Sequence, residues 1–249
     1  MVEREELNPG QGRLLGVGVG PGDPGLVTVR AAEVIGAAAA VAYPVHKPGA
    51  SSRALEAARL YLRDGVAKLP LLMPMTRDGE RLRRAHEDAA SLLEQAGAGG
   101  EEIVYLSLGD PLFYSTFGYL AERYPGPVEA ISGVTAMSAA AAELGRPLAS
   151  GDMPTVVVTG KDHRGLEAAL DMGGSVVVIK PRSLSEESLE MLGGRGALRR
   201  AAAALELGTE KHRMIRDVDR AVVESLPYFS VLWIAPPDAG ADGGSDEGV

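Results

Sequence analysis

The chain has 249 residues, 45% of them hydrophobic, 24% charged and 4% aromatic, with a formal net charge of −9. That composition fits a globular protein of one large or two small domains, and its acidic balance excludes a broad electrostatic footprint for nucleic acid or an anionic membrane. Cysteine is absent, which excludes disulfides, thiolate nucleophiles, iron–sulfur clusters and cysteine-ligated zinc.

The opening "MVEREELNPGQG" is polar and acidic. It lacks the basic start and apolar run of a signal peptide, and no apolar segment is long enough to span a bilayer, so a cytoplasmic location and no membrane partner are expected. Residues 1–12 and 237–249, rich in Gly, Pro and acidic residues, read as disordered tails.

Between them, apolar runs alternate with helical patterns. "RLLGVGV" reads as a strand ending in glycine, and "LVTVRAAEVIGAA" as a helix capped by Thr28 with Ala31, Val34, Ile35 and Ala38 at helical spacing. "AVAYP" is a short strand stopped by Pro44; "SSRALEAARLYLRDG" is a serine-capped helix with Leu55, Ala58 and Leu62 on one face. "VAKLPLLM" is expected to be the third strand, "TRDGERLRRAHEDAASLLEQAG" a long charged helix, and "EEIVYLSLGDP" a buried strand. A helix follows from about Ser115, then the strand "VEAISG" and the small-residue helix "VTAMSAAAAELG". Beyond "RPLASGD", four strand candidates, "PTVVVTG", "SVVVIKP", "HRMIRDV" and "YFSVLWIA", are separated by stretches read as helices rich in Ala, Leu and Glu. Alternating strands and helices imply parallel pairing, and the break near residue 150 predicts two α/β lobes, 13–150 and 151–236.

"GVGVGPGDP", residues 16–24, sits between the first strand and helix, where a dinucleotide fingerprint would stand. The fingerprint needs G-x-G-x-x-G, and the third glycine is replaced by Pro21 or Asp23 in the two possible registers. Proline has no N–H to donate and aspartate repels phosphate, so the loop suits a neutral or cationic ligand. Gly-Asp-Pro recurs at Gly109-Asp110-Pro111, again after an apolar run, and in a parallel sheet both turns lie at the carboxyl edge, where ligands bind. Asp and Pro are also ordinary turn residues, which leaves a purely structural reading open.

"GVGVGPGDPGLVTVRAAEVI", "YLSLGDPLFYSTFGYLAERY" and "ISGVTAMSAAAAELGRPLA" resemble, in order and spacing, the N-terminal motifs of the tetrapyrrole methylases. "GDPLFYST", "AYPVHKPG…SSRAL" and the late "PYFS" are most similar to those members that methylate carbon 20 of precorrin-2. The resemblance implies two α/β domains, not a Rossmann dinucleotide fold, with S-adenosylmethionine in a cleft between them, in a homodimer. It implies cofactor contacts at Pro21, at Leu108, Gly109 and Asp110, and at Thr135 and Ala136, with Ser115 and Thr116 matching the "YST" stretch. In the second lobe, where family members place a cofactor-contacting apolar residue, Ile179 and Lys180 are the candidates. Ser132 stands where family members commonly have proline, and the region after Asp152 reproduces no clear family motif. The implied reaction is methyl transfer to carbon 20 of precorrin-2 or cobalt-precorrin-2; another ring carbon, and a nicotinamide-dependent oxidoreductase, remain the alternatives.

An acidic tetrapyrrole needs local positive charge, and His46, Lys47 and Arg53 in "AYPVHKPGASSR" are the candidate carboxylate ligands. Arg77, Arg81 and Arg84 are a second candidate patch, although Glu80 precedes Arg84 by one helical turn and is placed to neutralise it. His46, His86, His163 and His212 lack carboxylate or cysteine companions at metal-ligand spacing, so no metal is expected. Asp23, Asp110 and Tyr114 lie near the motifs, with turn formation or cofactor binding as their expected roles; no catalytic base is identified.

Overall fold

The computed structural model describes residues 10, 12–76 and 78–237. Most of both stretches read as tails, and Arg77, lie outside the described residues. The chain divides into two compact units, Met1–Thr135 and Ala136–Val249.

The first unit carries β1 (Leu14–Gly18), α1 (Val29–Ala37), β2 (Ala40–Val45), α2 (Arg53–Ala58), β3 (Ala67–Leu72), α3 (Gly79–Ala96), β4 (Ile103–Ser107), α4 (Phe117–Ala121) and β5 (Val128–Ile131). Its five strands pair in parallel in the order β3-β2-β4-β1-β5. Every residue of β1 and β4 is buried, as expected for inner strands of a sheet covered on both faces. Leu15 and Val17 face one core with Ala31 and Ile35 of α1 and Ala54 and Ala58 of α2. Leu14 faces the other, with Ala89 and Leu93 of α3 and Phe117 and Leu120 of α4. Thr28, Ser52 and Asp78 cap α1, α2 and α3 through their side-chain oxygens.

Pro44 does not stop β2, which continues to Val45. Ladder bonding explains why. Val45 O accepts from Met73 N on the β3 side, so Pro44 turns its missing N–H to the other side, where pairing with β4 has already ended at Ala42.

The second unit carries α5 (Ala136–Leu144), β6 (Thr155–Thr159), α6 (His163–Asp171), β7 (Ser175–Ile179), α7 (Glu186–Gly194), β8 (Ala201–Leu205), β9 (Arg213–Ile215), α8 (Arg220–Ser225) and β10 (Ser230–Ile234). Two expectations are corrected here. The sheet, ordered β6-β7-β10-β8-β9, is parallel only between β6 and β7; its other pairings are antiparallel. And "AAAAL", within a stretch read as helix, is the fully buried strand β8. Alanine's helix preference is worth only tenths of a kcal/mol per residue, less than an inner-strand position with ladder bonds on both sides. Alanine also fits by size: Ala202 is the register partner of Trp233, whose indole occupies the space beside it.

Candidate active site

Because the first sheet is parallel, the connections leaving β1, β2, β4 and β5 all emerge at one edge. Val19 N donates to Ser107 O (3.0 Å), Gly20 N to Gly109 O (3.3 Å) and Gly109 N to Gly20 O (2.7 Å). The two Gly-Asp-Pro turns are thus hydrogen-bonded to each other. Gly109 adopts φ 78°, in the left-handed region open to glycine at little cost.

Both aspartates act on their own turns in the same way. Asp23 Oδ1 accepts from Gly25 N (2.8 Å), and Asp110 Oδ1 accepts from Leu112 N (2.8 Å). Asp110 does more: its Oδ2 accepts from Gly133 N (3.0 Å), tying the turn after β4 to the segment after β5. Thr28 Oγ1 also reaches Ser132 O at 3.5 Å. Pro21 and Gly109 are buried, while Leu108, Asp110 and Thr135 are half-buried. Three sequence-distant segments with implied cofactor contacts therefore meet at one sheet edge. Ala136 opens α5 in the second unit.

The glycines of "GVGVG" have a more internal duty than access for a ligand. A Cβ on Gly16 would lie 2.4–2.5 Å from the Phe117 ring, and one on Gly18 would lie 2.6 Å from Gly109 O and from Gly133 N and Cα. Gly16 makes room for a core aromatic; Gly18 lets three turns close on one another.

Ser115 and Thr116 are directed back into the protein. Ser107 Oγ and Ser115 Oγ are hydrogen-bonded at 2.7 Å, Tyr105 Oη and Thr116 Oγ1 at 2.5 Å, and Ser115 Oγ also accepts from Phe117 N at 3.1 Å. Burial pushes the Tyr105 phenol up to about 12, an effect that its bond to Thr116 partly opposes, so Tyr105 stays protonated at neutral pH. Tyr105 and Ser107 are the residues that sequence reading missed. Their signal was present: polar side chains two apart on a strand share one face, and a buried face requires partners for both. Between the staples and the turn, Tyr114 holds φ 52°, unusual for a non-glycine residue, and remains exposed.

His46 and Lys47 are exposed just beyond β2, and Arg53 is half-buried at the start of α2 behind the Ser52 cap. His46 and Lys47 stand on the β2–α2 connection and Arg53 opens α2, at the same sheet edge. The arginines of α3 are different: Arg84 Nε lies 2.9 Å from Glu80 Oε1, and Arg83 bridges Glu80 and Glu87 on an exposed helical face. The neutralised reading therefore holds for Arg84. Arg81 and Arg84 instead border a groove of about 510 Å³ between β3 and α3, with Pro70, Leu72, Ala85 and Leu92 among its other walls.

The chemistry of the turns is selective. Residues 19–25, 108–116 and 132–135 contain no lysine or arginine, but offer backbone groups, hydroxyls and the carboxylates of Asp23 and Asp110. An ionised carboxylate has about four acceptor sites, so Asp110 keeps capacity after its two backbone bonds. Such a set fits the ammonium, sulfonium and ribose hydroxyls of S-adenosylmethionine and is poor for a pyrophosphate.

The sequence profile of the Tetrapyrrole (Corrin/Porphyrin) Methylases matches residues 13–220. A precorrin-2 C(20)-methyltransferase from Sinorhizobium sp is 32% identical, covering 90% of this chain and 96% of its own. The cobalamin biosynthesis protein CobIJ of Mycobacterium tuberculosis is 36% identical over 90% of this chain, which spans only 46% of that longer protein. Among solved structures, the methyltransferase CobJ superposes with a TM-score of 0.67 at 20% identity, covering 91% of this chain and 95% of its own. With most of its length matched to the family profile, the chain belongs to the tetrapyrrole (corrin/porphyrin) methylases.

Proposed function

We propose that the protein is an S-adenosylmethionine-dependent C-methyltransferase that methylates carbon 20 of precorrin-2, or of its cobalt complex, in cobalamin biosynthesis. The observation that carries this reading is the near full-length match to a relative named for that reaction. A homodimer in the cytoplasm belongs to the same proposal.

In this reading, the turns holding Pro21, Leu108, Gly109 and Asp110, with Thr135 and Ala136, bind S-adenosylmethionine. When bound, it supplies a methyl group activated by the sulfonium. An electron-rich ring carbon accepts such a methyl without a strong base, so the chain's main contribution is alignment, which can supply much of the acceleration. Hydrogen bonds between the turns, and the Ser107–Ser115 and Tyr105–Thr116 staples beneath them, supply rigidity; Ser115 and Thr116 act as positioning residues rather than direct ligands. His46, Lys47 and Arg53 hold substrate carboxylates.

The test is incubation of the purified protein with enzymatically made precorrin-2 and methyl-labelled S-adenosylmethionine, with mass and NMR analysis of the product. One labelled methyl at carbon 20 is expected. A methyl at another ring carbon overturns the substrate assignment, and tight nicotinamide binding without S-adenosylmethionine binding overturns the activity.

A further inference from the structure

The second unit presents a cluster of cations that the reading above does not use. β6 and β7 run in parallel with Thr159 opposite Ile179, so the connections after them leave the sheet side by side. They touch through backbone: Gly160 N donates to Ile179 O at 2.9 Å, and a Cβ on Gly160 would lie 2.6 Å from Lys180 O. Lys161 stands on one connection, with Arg164 in the first turn of the α6 helix that follows it, and Lys180 and Arg182 stand on the other. Lys161, Arg164 and Arg182 are exposed, and Lys180 is half-buried.

Among the described residues, the carboxylates beside them form no ion pair with them. Asp162 Oδ1 accepts from Gly165 N as the cap of α6, Glu187 faces His163 at 3.4 Å, and Glu186 pairs with Arg220. Among the described residues, none of the four cations takes part in an ion pair, whereas Arg195 and Arg220 in the same unit are each paired with carboxylates. The cluster also has a firm base, since Ser188 Oγ is bonded to both His163 Nδ1 and Ser185 Oγ at 2.9 Å, tying the start of α6 to that of α7. Lys180 itself holds φ 53°, ψ 49° directly before Pro181. Both its own Cβ and the following proline disfavour that conformation, and such outliers concentrate at functional positions.

We infer that Lys161, Lys180 and Arg182, with Arg164 beside them, bind carboxylate side chains of an acidic tetrapyrrole. This rests on the proposed function and extends it to the substrate. Carboxylates spread around a macrocycle match single cations spread over two connections. A compact phosphate calls instead for converging backbone amides, and here Asp162 and Ser185 already cap the two helix starts.

Fluorescence titration of the full chain with uroporphyrin, a stable octacarboxylate tetrapyrrole, tests the inference. Lys161→Gln/Arg182→Gln is expected to weaken uroporphyrin binding about tenfold, to affect tetracarboxylate coproporphyrin less, and to leave S-adenosylmethionine affinity unchanged. Lys68→Gln on β3 is expected to change none of these. The charge-keeping Lys161→Arg/Arg182→Lys is expected to restore binding; failure to do so, or a parallel loss of S-adenosylmethionine binding, assigns the effect to folding and overturns the inference. Unchanged uroporphyrin affinity in the glutamine variant overturns it, as does displacement by inorganic phosphate stronger than by acetate at equal ionic strength. Wild-type enzyme that methylates carbon 20 while the glutamine variant keeps its KM for precorrin-2 sinks this inference alone, whereas wild-type enzyme with no methylation sinks the function beneath it.

Discussion

Gly16 and Gly18 lie two residues apart on one strand, yet their replacement by alanine is expected to fail for different reasons. At Gly18 the new Cβ would sit 2.6 Å from three backbone atoms of Gly109 and Gly133, close to 1 Å inside ordinary contact. Backbone cannot rotate away, so the turns must separate, stretching the 2.7 Å Gly109–Gly20 bond and the 3.0 Å Gly133–Asp110 bond. Overpacking of this kind costs about 1–3 kcal/mol, and loss of turn alignment is expected to reduce S-adenosylmethionine affinity at least tenfold. At Gly16 the obstacle is the Phe117 ring, 2.4–2.5 Å away, a side chain that mutation can shorten. Gly16→Ala/Phe117→Leu should therefore be less destabilised than the sum of its single variants, by about 0.5–3 kcal/mol, while Phe117→Leu should bring no relief to Gly18→Ala. Urea unfolding of wild type and the five variants gives the coupling energies, and calorimetric titration with S-adenosylmethionine gives the affinities. A Gly18→Ala protein with wild-type stability and affinity would refute the claim that close approach of the three turns builds the site. Equal coupling of Phe117→Leu to both alanines would refute the distinction between them.

His86 is buried on α3 and stacked on Tyr119, with ring centroids 4.8 Å apart; burial, and then the Arg123 charge, hold its pKa below the ordinary 6.5. The unfolded chain therefore takes up the proton first as pH falls, so His86 contributes its full stability above about 6.5 and loses it between that value and its lower folded pKa; urea midpoints from pH 7.5 to 5 should fall more steeply for wild type than for His86→Phe. For the staples, Ser107→Ala and Ser115→Ala should each raise KM for S-adenosylmethionine with a smaller effect on kcat, and the double variant should resemble the worse single, because either change already removes the 2.7 Å bond. Full additivity would show that the two hydroxyls act apart.

How much of this was legible in the sequence depended on how local the cause was. The strands of the first unit, the Thr28 cap and the shared edge of the two Gly-Asp-Pro turns follow from apolar runs, cap residues and parallel pairing, all of which act over a few residues. What failed needed partners far along the chain. Nothing within "AAAAL" tells of Trp233, whose bulk in the register-paired strand makes alanine the residue that fits. Pro44 reads as a stop until it is known which side of β2 is unpaired. Gly16 reads as part of a glycine-rich, ligand-facing loop until Phe117, on the same face of β1 as Leu14, is seen against it.

The repeated Gly-Asp-Pro shows how structural and functional readings of a motif can both hold. Each aspartate accepts from the amide two residues on, at the same 2.8 Å, so each triplet builds the same turn at the end of one of two adjacent strands. To that extent the repetition is ordinary turn chemistry. The two copies then diverge because of what stands beside them. Asp23 remains exposed at the start of a short helical turn, while Asp110 spends its second oxygen on Gly133 and fixes the segment leading to Thr135. That link requires Gly18 to be bare, since any side chain there would strike Gly133 and the carbonyl of Gly109. In the proposed function, a turn motif becomes a cofactor site when a neighbouring strand offers it a second amide and a glycine gives the space to reach it. On that ground Asp110 and Gly18, more than Pro21 or the remaining loop glycines, connect the local sequence to the geometry that a methyl donor needs.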